Sequence, residues 1–305
     1  MKKFKKISAV VLSGLMVFSV AACGKDTVDK AADAAGQVVE EVQENKVAAA
    51  SIKMNEAENM KGVMNMDMKM SADGETMDIA SVSDMVIFNN PMKMKMDMTS
   101  KYMDEEMKVQ YYIQMNDKGD FDMYYGSDET GWIKSESTIK NVEALKGNTD
   151  YYLKYAESFE SAGEEEVNGE MAEKFTGVIK AEDMNEVLDS TNIDTIIPVD
   201  ESSIDIKEIF KDMDGIPMSI WISNESGYPV KYDMDMTQMM QVIMDSIVAQ
   251  LAGEEGAEEI PEIKIDNISM TMTFSDFNNA EDFEIPAEVL ENAVEMDLSE
   301  VAAAE

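Results

Sequence analysis

The sequence predicts an α+β protein built on a curved, open antiparallel β half-barrel of about 10 to 11 strands, with helices covering its concave face. Three observations predict this fold. Long segments alternate apolar and polar residues with a period of two, as half-buried strands do. Turn-forming residues separate these segments. A few stretches instead repeat their apolar residues with the period of an amphipathic helix.

Residues 1–22 are predicted to be a lipoprotein signal peptide. Four lysines lie within residues 2–6, and the apolar run over 7–20 is too short to span a membrane. The run ends in Val20-Ala21-Ala22-Cys23-Gly24, which resembles the bacterial lipobox. The resemblance implies cleavage before Cys23 and a diacylglycerol, such as a palmitate-bearing one, on its sulfur. The alternative is an ordinary secretory signal peptide with a cysteine at its end.

Residues 23–46 are predicted to be a lipidated tether, because they are small and charged with only loosely helical spacing. Removing residues 1–22 takes away four lysines and no acidic residue, so the net charge moves from −38 to −42. Each buried acyl CH₂ contributes about 0.8 kcal/mol of membrane affinity, which lets a two-chain anchor hold even this acidic chain. We therefore expect the protein at the cell membrane, lipid-anchored on the extracytoplasmic face.

Residues 47–290 are predicted to form the half-barrel domain. It starts with one short helix over 48–60, where apolar residues recur at helical spacing before Lys61-Gly62. The period then changes to two, and methionine fills every second position of Val63–Met70. Asp73-Gly74 supplies a hairpin turn. The further strands predicted by alternation are 77–88, 92–98, 107–115, 121–125, 131–134, 165–167, 171–179, 216–223, 228–236 and 263–274.

The last long strand is predicted to contain a bulge. Its apolar phase switches between Ile265 and Ile268, and a one-residue slip would otherwise turn one half of the strand over. We therefore expect a bulge or sharp bend near Asp266-Asn267 that curves the sheet. Helical spacing predicts the covering helices at 138–159, 181–190, about 205–213, and 236–252. Residues 291–305 are predicted to be an acidic C-terminal tail.

Taken together, these features resemble a group of lipoproteins of unassigned function from Gram-positive anaerobes, related to the LolA/LppX-like lipoprotein and lipid carriers. The segments that carry the resemblance are 90–98 (NPMKMKMDM), 131–134 (GWIK) and 221–231 (WISNESGYPVK), within a similarity over about 46–290. The resemblance implies a half-barrel whose concave apolar face and covering helices enclose a cavity for acyl chains. The chain departs from some of these carriers, which use Arg at the cavity mouth, in having no Arg.

The candidate ligand-cavity residues occupy alternating positions of the predicted strands. Methionine is unbranched and polarizable, so it suits a cavity that adapts to flexible chains, but it equally fills an irregular solid core. Trp132, with Tyr111, Tyr124 and Tyr125, is either part of an aromatic rim or a core anchor. The candidates are Met66, Met68, Met94, Met96, Tyr111, Ile113, Trp132, Met234, Met270 and Met272.

The composition excludes several kinds of chemistry. The chain has no His, which excludes a Ser-His-Asp triad and an ordinary zinc site. It has 63 Asp plus Glu against 25 basic residues, all lysine, which argues against nucleic acid as a partner. One cysteine, consumed by acylation, leaves none for a disulfide. We therefore expect a protein that is not an enzyme and needs no cofactor or metal.

Three weaker motifs have simpler explanations. The M-x-M clusters could bind Cu(I) through thioether sulfur, but strand alternation explains them without copper. Ser137-Thr138-Ile139-Lys140 matches the S-x-x-K string of penicillin-binding enzymes without its companion K-T-G string, and a helix cap is the simpler interpretation. Carboxylates are abundant, but no spacing singles out a catalytic pair.

The expected function is binding or shuttling of a hydrophobic ligand, a lipid or an acyl chain, by a membrane-anchored lipoprotein. The alternative is a non-enzymatic envelope interaction or sensor module with a filled core and an acidic face that recognises a protein partner. A hollow interior would favour the first function and a solid core the second.

Overall fold

A computed structural model describes residues 45–72, 74–102, 105–116, 121–127, 131–137, 158–180, 213–252 and 263–295. Cys23, the predicted signal peptide and most of the predicted tether lie outside these residues. The helices are α1 (Lys46–Glu56), α2 (Thr237–Ala252) and α3 (Ala287–Asn292). The strands are β1 (Asn59–Ala72), β2 (Glu75–Asn89), β3 (Met92–Tyr102), β4 (Glu105–Met115), β5 (Phe121–Ser127), β6 (Gly131–Ser137), β7 (Glu160–Val167), β8 (Glu170–Ile179), β9 (Ile216–Ser223), β10 (Pro229–Asp235), β11 (Ile263–Ser275) and β12 (Val294–Glu295).

All of these strands belong to one open, curved sheet. Its order is β12-β6-β5-β4-β3-β2-β1-β11-β10-β9-β8-β7, so β12 and β7 lie at opposite ends. Neighbouring strands are antiparallel except for β12, which pairs in parallel with Ile133 and Lys134 of β6. The predicted α+β open antiparallel half-barrel is therefore confirmed. The twelfth strand is β12, whose residues the sequence had assigned to the acidic tail.

The sheet has two faces of different composition. We call the side that carries Met64, Met66, Met68 and Met70 of β1, with their in-register neighbours, the methionine face. The other side is called the opposite face. The largest core cluster joins the methionine face to α1 and α2. A smaller cluster on the opposite face joins β4, β5 and β6 to α3, and another lies around Trp221.

Helix α1 ends earlier than the sequence predicted. Asn45 caps its start, because its side chain accepts hydrogen bonds from the backbone N–H groups of Val47 and Ala48. The helix ends at Glu56, and Asn59 already pairs with Phe88 in the sheet. The prediction of helix to Met60 is wrong there because Met60 continues the even-numbered apolar row of β1.

The predicted bulge in β11 is confirmed. Lys69 pairs with Asn267 and Met70 pairs with Ile265, so Asp266 is the extra residue. The bulge lets Ile265 and Ile268, three residues apart, both be buried. Asn168 and Gly169 both have positive φ, at 52° and 87°, as the two central residues of a tight hairpin turn between β7 and β8 require.

Helix α2 confirms the helix predicted over 236–252. The helices predicted at 138–159, 181–190 and 205–213 lie outside the described residues except at 158–159 and 213, which are not helical. At the C-terminus, residues 291–295 complete α3 and form β12 instead of beginning an acidic tail. The remaining residues of that tail are outside the described part of the chain.

Candidate functional site

Methionine side chains form a continuous row across four strands of the methionine face. Met218 of β9 pairs with Met234 of β10, which pairs with Met270 of β11, which pairs with Met66 of β1. The M-x-M spacing in the sequence is therefore the two-residue repeat of strands that align their methionines in register. Adjacent strands lie about 4.8 Å apart, so the row extends over about 15 Å.

Nine of the ten predicted ligand-cavity residues share the methionine face. The six methionines of β1, β3 and β11 among them are all buried, while Tyr111, Ile113 and Met234 are partly buried and pack against the same core. Cross-strand pairs link them, for example Met94 with Ile113 and Met96 with Tyr111. The nine are Met66, Met68, Met94, Met96, Tyr111, Ile113, Met234, Met270 and Met272.

Trp132 lies on the opposite face. Its ring is 5.8 Å from the ring of Tyr112, and both belong to a cluster with Tyr124 and Val289 of α3. The interpretation of Trp132 as a core anchor agrees with this packing. The aromatic rim is split, because Tyr111 and Tyr125 stack at 6.1 Å on the methionine face while Trp132 and Tyr124 lie behind it.

The described helices cover one half of the methionine face. Helix α1 contacts β9 and β10, and the hydroxyl of Tyr232 donates to the sulfur of Met54 at 3.6 Å. Helix α2 lies over β11, where Gln241 binds both the backbone N–H of Ile265 at 2.6 Å and the carbonyl of Ile263 at 3.1 Å. Gln241 thus satisfies backbone groups next to the bulge, where the ladder is interrupted.

The methionine face of β1, β3 and β11 is free of charged side chains, which lie elsewhere on the sheet. Every methionine-face position of β1, β3 and β11 is uncharged, whereas the opposite face of β3 carries the ion pair Lys95–Asp97 at 2.9 Å. Desolvation by burial, with a smaller contribution from Tyr125, raises the pKa of Tyr111 to about 12. The methionine face therefore offers apolar contact and disfavours the ionised form of the Tyr111 phenol.

Three serines interrupt the apolar rows at the centre of the methionine face. Ser81 and Ser83 stand in β2 where the alternation would place apolar residues, and Ser100 of β3 pairs with Ser81. Their exposed fractions are 3%, 0% and 4%. The hydroxyls of Ser81 and Ser100 are 2.8 Å apart and share one hydrogen bond. The hydroxyl of Ser83 has no hydrogen-bond partner among the described residues.

These serines were not among the candidate residues predicted from the sequence, although the sequence of β2 contains a signal for them. From Met77 to Ile87 of β2 the buried positions are Met77, Ile79, Ser81, Ser83, Met85 and Ile87, so two polar residues stand in succession between apolar ones. An unpartnered buried hydroxyl costs about 1–3 kcal/mol, which makes its presence in a core notable. We call Ser81, Ser83 and Ser100 the serine cluster.

The opposite face carries a polar groove near the β1–β2 hairpin. Its volume is about 460 Å³, and Asp67, Lys69, Asp78 and Lys101 are among the residues that line it. Lys69 pairs only loosely with Asp78, at 3.9 Å. The groove is open and mixed in charge, so it does not provide the apolar enclosure that an acyl chain needs.

Across the described ranges, no three His, Cys, Asp or Glu side chains come together in a way that could hold a metal ion. No helix in that part of the chain is both long enough and apolar enough to cross a membrane.

The geometry defines a class: an open antiparallel sheet with one uncharged, methionine-rich face under helices. No protein-family model matches the chain, and no curated protein matches it. Solved structures give distant similarities. Lipoprotein LppX from Mycobacterium tuberculosis is 12% identical with a TM-score of 0.40, over 81% of this chain and 98% of its own. LprF from Mycobacterium bovis is 11% identical with a TM-score of 0.44, over 82% and 97%.

A third solved structure belongs to the same set of similarities. It is a putative outer membrane lipoprotein-sorting protein domain from Vibrio parahaemolyticus, 11% identical with a TM-score of 0.24, over 77% of this chain and 92% of its own. LppX is one of the two proteins for which the LolA/LppX-like group is named. The relation to lipoproteins of Gram-positive anaerobes stays a prediction. Scores of this size leave the function to be argued from the chain's own residues.

Proposed function

We propose that this chain is a membrane-anchored lipoprotein that binds or shuttles a lipid or acyl chain against the methionine face. The observation that carries the proposal is the four-strand row Met218–Met234–Met270–Met66, set in a face that is uncharged on β1, β3 and β11. A surface of this kind binds hydrocarbon without selecting its shape, because methionine side chains rearrange easily.

The binding energy would come from removing acyl CH₂ groups from water. Each buried CH₂ contributes about 0.8 kcal/mol, so a segment of ten such groups supplies about 8 kcal/mol before the cost of ordering the chain. The row of methionines, at about 15 Å, is long enough to hold such a segment in its extended form. Bound acyl chain and methionine face therefore match in length and in polarity.

The lipid anchor at Cys23 belongs to the same proposal. Its support is the sequence Val20-Ala21-Ala22-Cys23-Gly24 at the end of an apolar run, in a chain with no other cysteine. Such an anchor would place the half-barrel at the extracytoplasmic face of the cell membrane, next to a source of acyl chains. The net charge of the body would keep it from lying flat on an anionic surface.

A second candidate function is an interaction or sensor module of the cell envelope with a filled core. The observation that favours it is the deep burial of the methionine face, where Met68, Met96 and Met270 are each no more than 2% exposed. On this proposal the acidic surface would recognise a protein partner. The two candidates differ in whether hydrocarbon is ever bound against the methionine face.

The test is native mass spectrometry of the full chain, extracted from bacterial membranes in a mild detergent. A carrier should retain a lipid that organic solvent extracts, in addition to any acyl groups on Cys23 that survive denaturation. Met107→Asp is the matched variant, because Met107 lies on the methionine face and is 54% exposed, so the change should not unfold the protein. Val82→Asp is the control, since Val82 is 43% exposed on the opposite face.

The expected result is a stoichiometric lipid that Met107→Asp reduces several-fold and Val82→Asp leaves unchanged. Equal retention by both variants would place the lipid elsewhere and contradict the proposal. A clean mass in all three proteins, with no uptake of added phospholipid, would reject carriage and favour the interaction module. Anchoring is read from the same spectra, because a Cys23→Ala chain should lose the covalent acyl mass.

A further inference from the structure

We infer that the serine cluster is a polar subsite for the neutral ester group of an acylated lipid. This inference rests on the proposed function and names the chemistry of its ligand. It starts from the centre of the methionine face, where polar side chains interrupt the apolar rows of β2 and β3. Three hydroxyls lie together at its centre, on β2 and β3, with almost no exposure to solvent.

The cluster has unused capacity for donating hydrogen bonds. Ser83 Oγ has no partner among the described residues, although the side chain is 0% exposed. Ser81 and Ser100 share one hydrogen bond at 2.8 Å, which uses one of their two hydroxyl hydrogens. Buried hydroxyls are normally satisfied, so a site that leaves them open fits a ligand that brings an acceptor.

The surroundings decide which acceptor fits. The in-register neighbours of the cluster on β1, β3 and β4 are Met64, Met66, Met98 and Met107. None of these neighbours is a cation that could neutralise a carboxylate or a phosphate. A charged headgroup would be desolvated here without compensation, whereas an ester carbonyl is neutral and accepts hydrogen bonds.

The shape of the face agrees with this chemistry. Serine is much shorter than the methionines beside it, so the side chains rise less far above the sheet at the cluster than at Met64 or Met98. A polar recess between apolar rows suits a group that is wider and more polar than the acyl chain attached to it. An ester group at the end of an acyl chain has these properties, and the acyl chain would follow the methionine row.

The test compares three single-chain probes on the full chain in detergent: methyl oleate, its ether analogue methyl oleyl ether, and oleate. The ether keeps the hydrocarbon and removes the carbonyl. Native protein should bind the ester about two- to tenfold more tightly than the ether, the range expected for one net hydrogen bond. At pH 8 oleate should bind more weakly than the ester, because its charge finds no cation.

The informative variant is Ser83→Ala, with Ser135→Ala as the matched control. Ser135 is also a buried serine of the methionine face, but it lies on β6, with three strands between it and β2. Ser83→Ala should bring the ester-to-ether affinity ratio close to one and leave ether binding unchanged. Ser135→Ala should keep the native ratio. Thermal melting should find Ser83→Ala at least as stable as native protein, since it removes a buried hydroxyl without a partner.

The outcomes separate the inference from the proposed function. If the ester and the ether bind equally to native protein, the inference is overturned and the proposed function stands. If oleate at pH 8 binds as tightly as the ester, the assignment of a neutral ligand is wrong. If none of the three probes binds, the inference and the lipid-binding function fail together. A ratio that Ser83→Ala and Ser135→Ala change alike would also overturn the role of the cluster.

Discussion

The two faces of the sheet are made by the same strands but are packed by different means. The methionine face buries flexible thioether side chains under α1 and α2. The opposite face is packed at two places by aromatic rings: Trp132 with Tyr112, and Trp221 with Lys174 and Lys231. Between those places its strands carry paired charges, such as Lys95 with Asp97. Alternation along each strand therefore separates adaptable packing from rigid packing.

This separation has a physical consequence. The ring of Trp221 is held from several directions, because its Nε1–H donates to Glu165 at 2.9 Å and two lysine ammonium groups lie 4.6 and 4.1 Å from its centroid. Methionine has three rotatable bonds and no preferred partner of this kind. A ligand could rearrange the methionine face while the aromatic clusters behind it hold the sheet in shape.

The largest loss of stability should come from a deletion that moves buried side chains from one face of the sheet to the other. Deleting Ser269 from β11 should turn Met270, Met272 and Phe274 onto the wrong side of the sheet. Exposing three such side chains costs about 5 kcal/mol or more, comparable to the whole stability of a typical domain. Circular dichroism should show a chain that is largely unfolded at 25 °C.

Deleting Asp266 from the same strand is the control. It removes the extra residue of the bulge, so Ile265 and Ile268 become two residues apart and still face the same side. The loss should be about 1–2 kcal/mol, from the lost bulge geometry. If both deletions unfolded the chain equally, the face assignment of β11 would not be what stabilises the sheet.

The next effect should distinguish rigid from adaptable packing. Trp221 and Met270 are each 1% exposed, on opposite faces. Trp221→Ala should cost about 3–5 kcal/mol, and Trp221→Phe about 1–2 kcal/mol through the lost hydrogen bond and volume. Met270→Leu, which conserves volume, should cost less than about 1.5 kcal/mol. Urea denaturation of the three variants measures all of these values.

A different ranking would contradict the contrast between the faces. If Met270→Leu destabilised the protein as much as Trp221→Ala, the methionine face would be as closely fitted as the aromatic clusters. That result would favour a filled core over an adaptable binding surface. Equal effects of Trp221→Ala and Trp221→Phe would show that the ring's volume is unimportant and the indole N–H decides.

Much of this fold could be predicted from the sequence because alternation is a local property. The strand limits Ile216–Ser223 and the bulge at Asp266 followed directly from the positions of apolar residues. Met60 was assigned to a helix because it fits both periods, and its pairing with Ile87 of β2 settles the strand. The two-residue strand β12 is too short to have a period at all.

The candidate site was harder to predict, because the face on which a side chain lies depends on how its strand pairs with the neighbouring strands. Strands β5 and β6 carry apolar residues on both sides, so the sequence could not tell that Trp132 and Tyr111 lie on different faces. The pairing of Trp132 with Gly126, and of Gly126 with Gln110, fixes that difference. The serine cluster was overlooked because Ser81 and Ser100 become neighbours only through the β2–β3 register.

The smallest effect should be a difference in how much a tyrosine on each face contributes to the loss of stability at alkaline pH. Burial raises the pKa of Tyr111, on the methionine face, to about 12, against about 10 in an unfolded chain. Between these values the unfolded chain releases a proton that the folded chain keeps, so stability falls as pH rises from about 10 and levels off above about 12, by at most about 2–3 kcal/mol. Tyr111→Phe should remove this part of the loss in urea melts at pH 9 and 11.

Tyr124→Phe is the comparison, since burial raises the pKa of Tyr124 on the opposite face while Lys134 lowers it. If both variants flattened the pH dependence equally, the methionine face would be no drier than the face behind it.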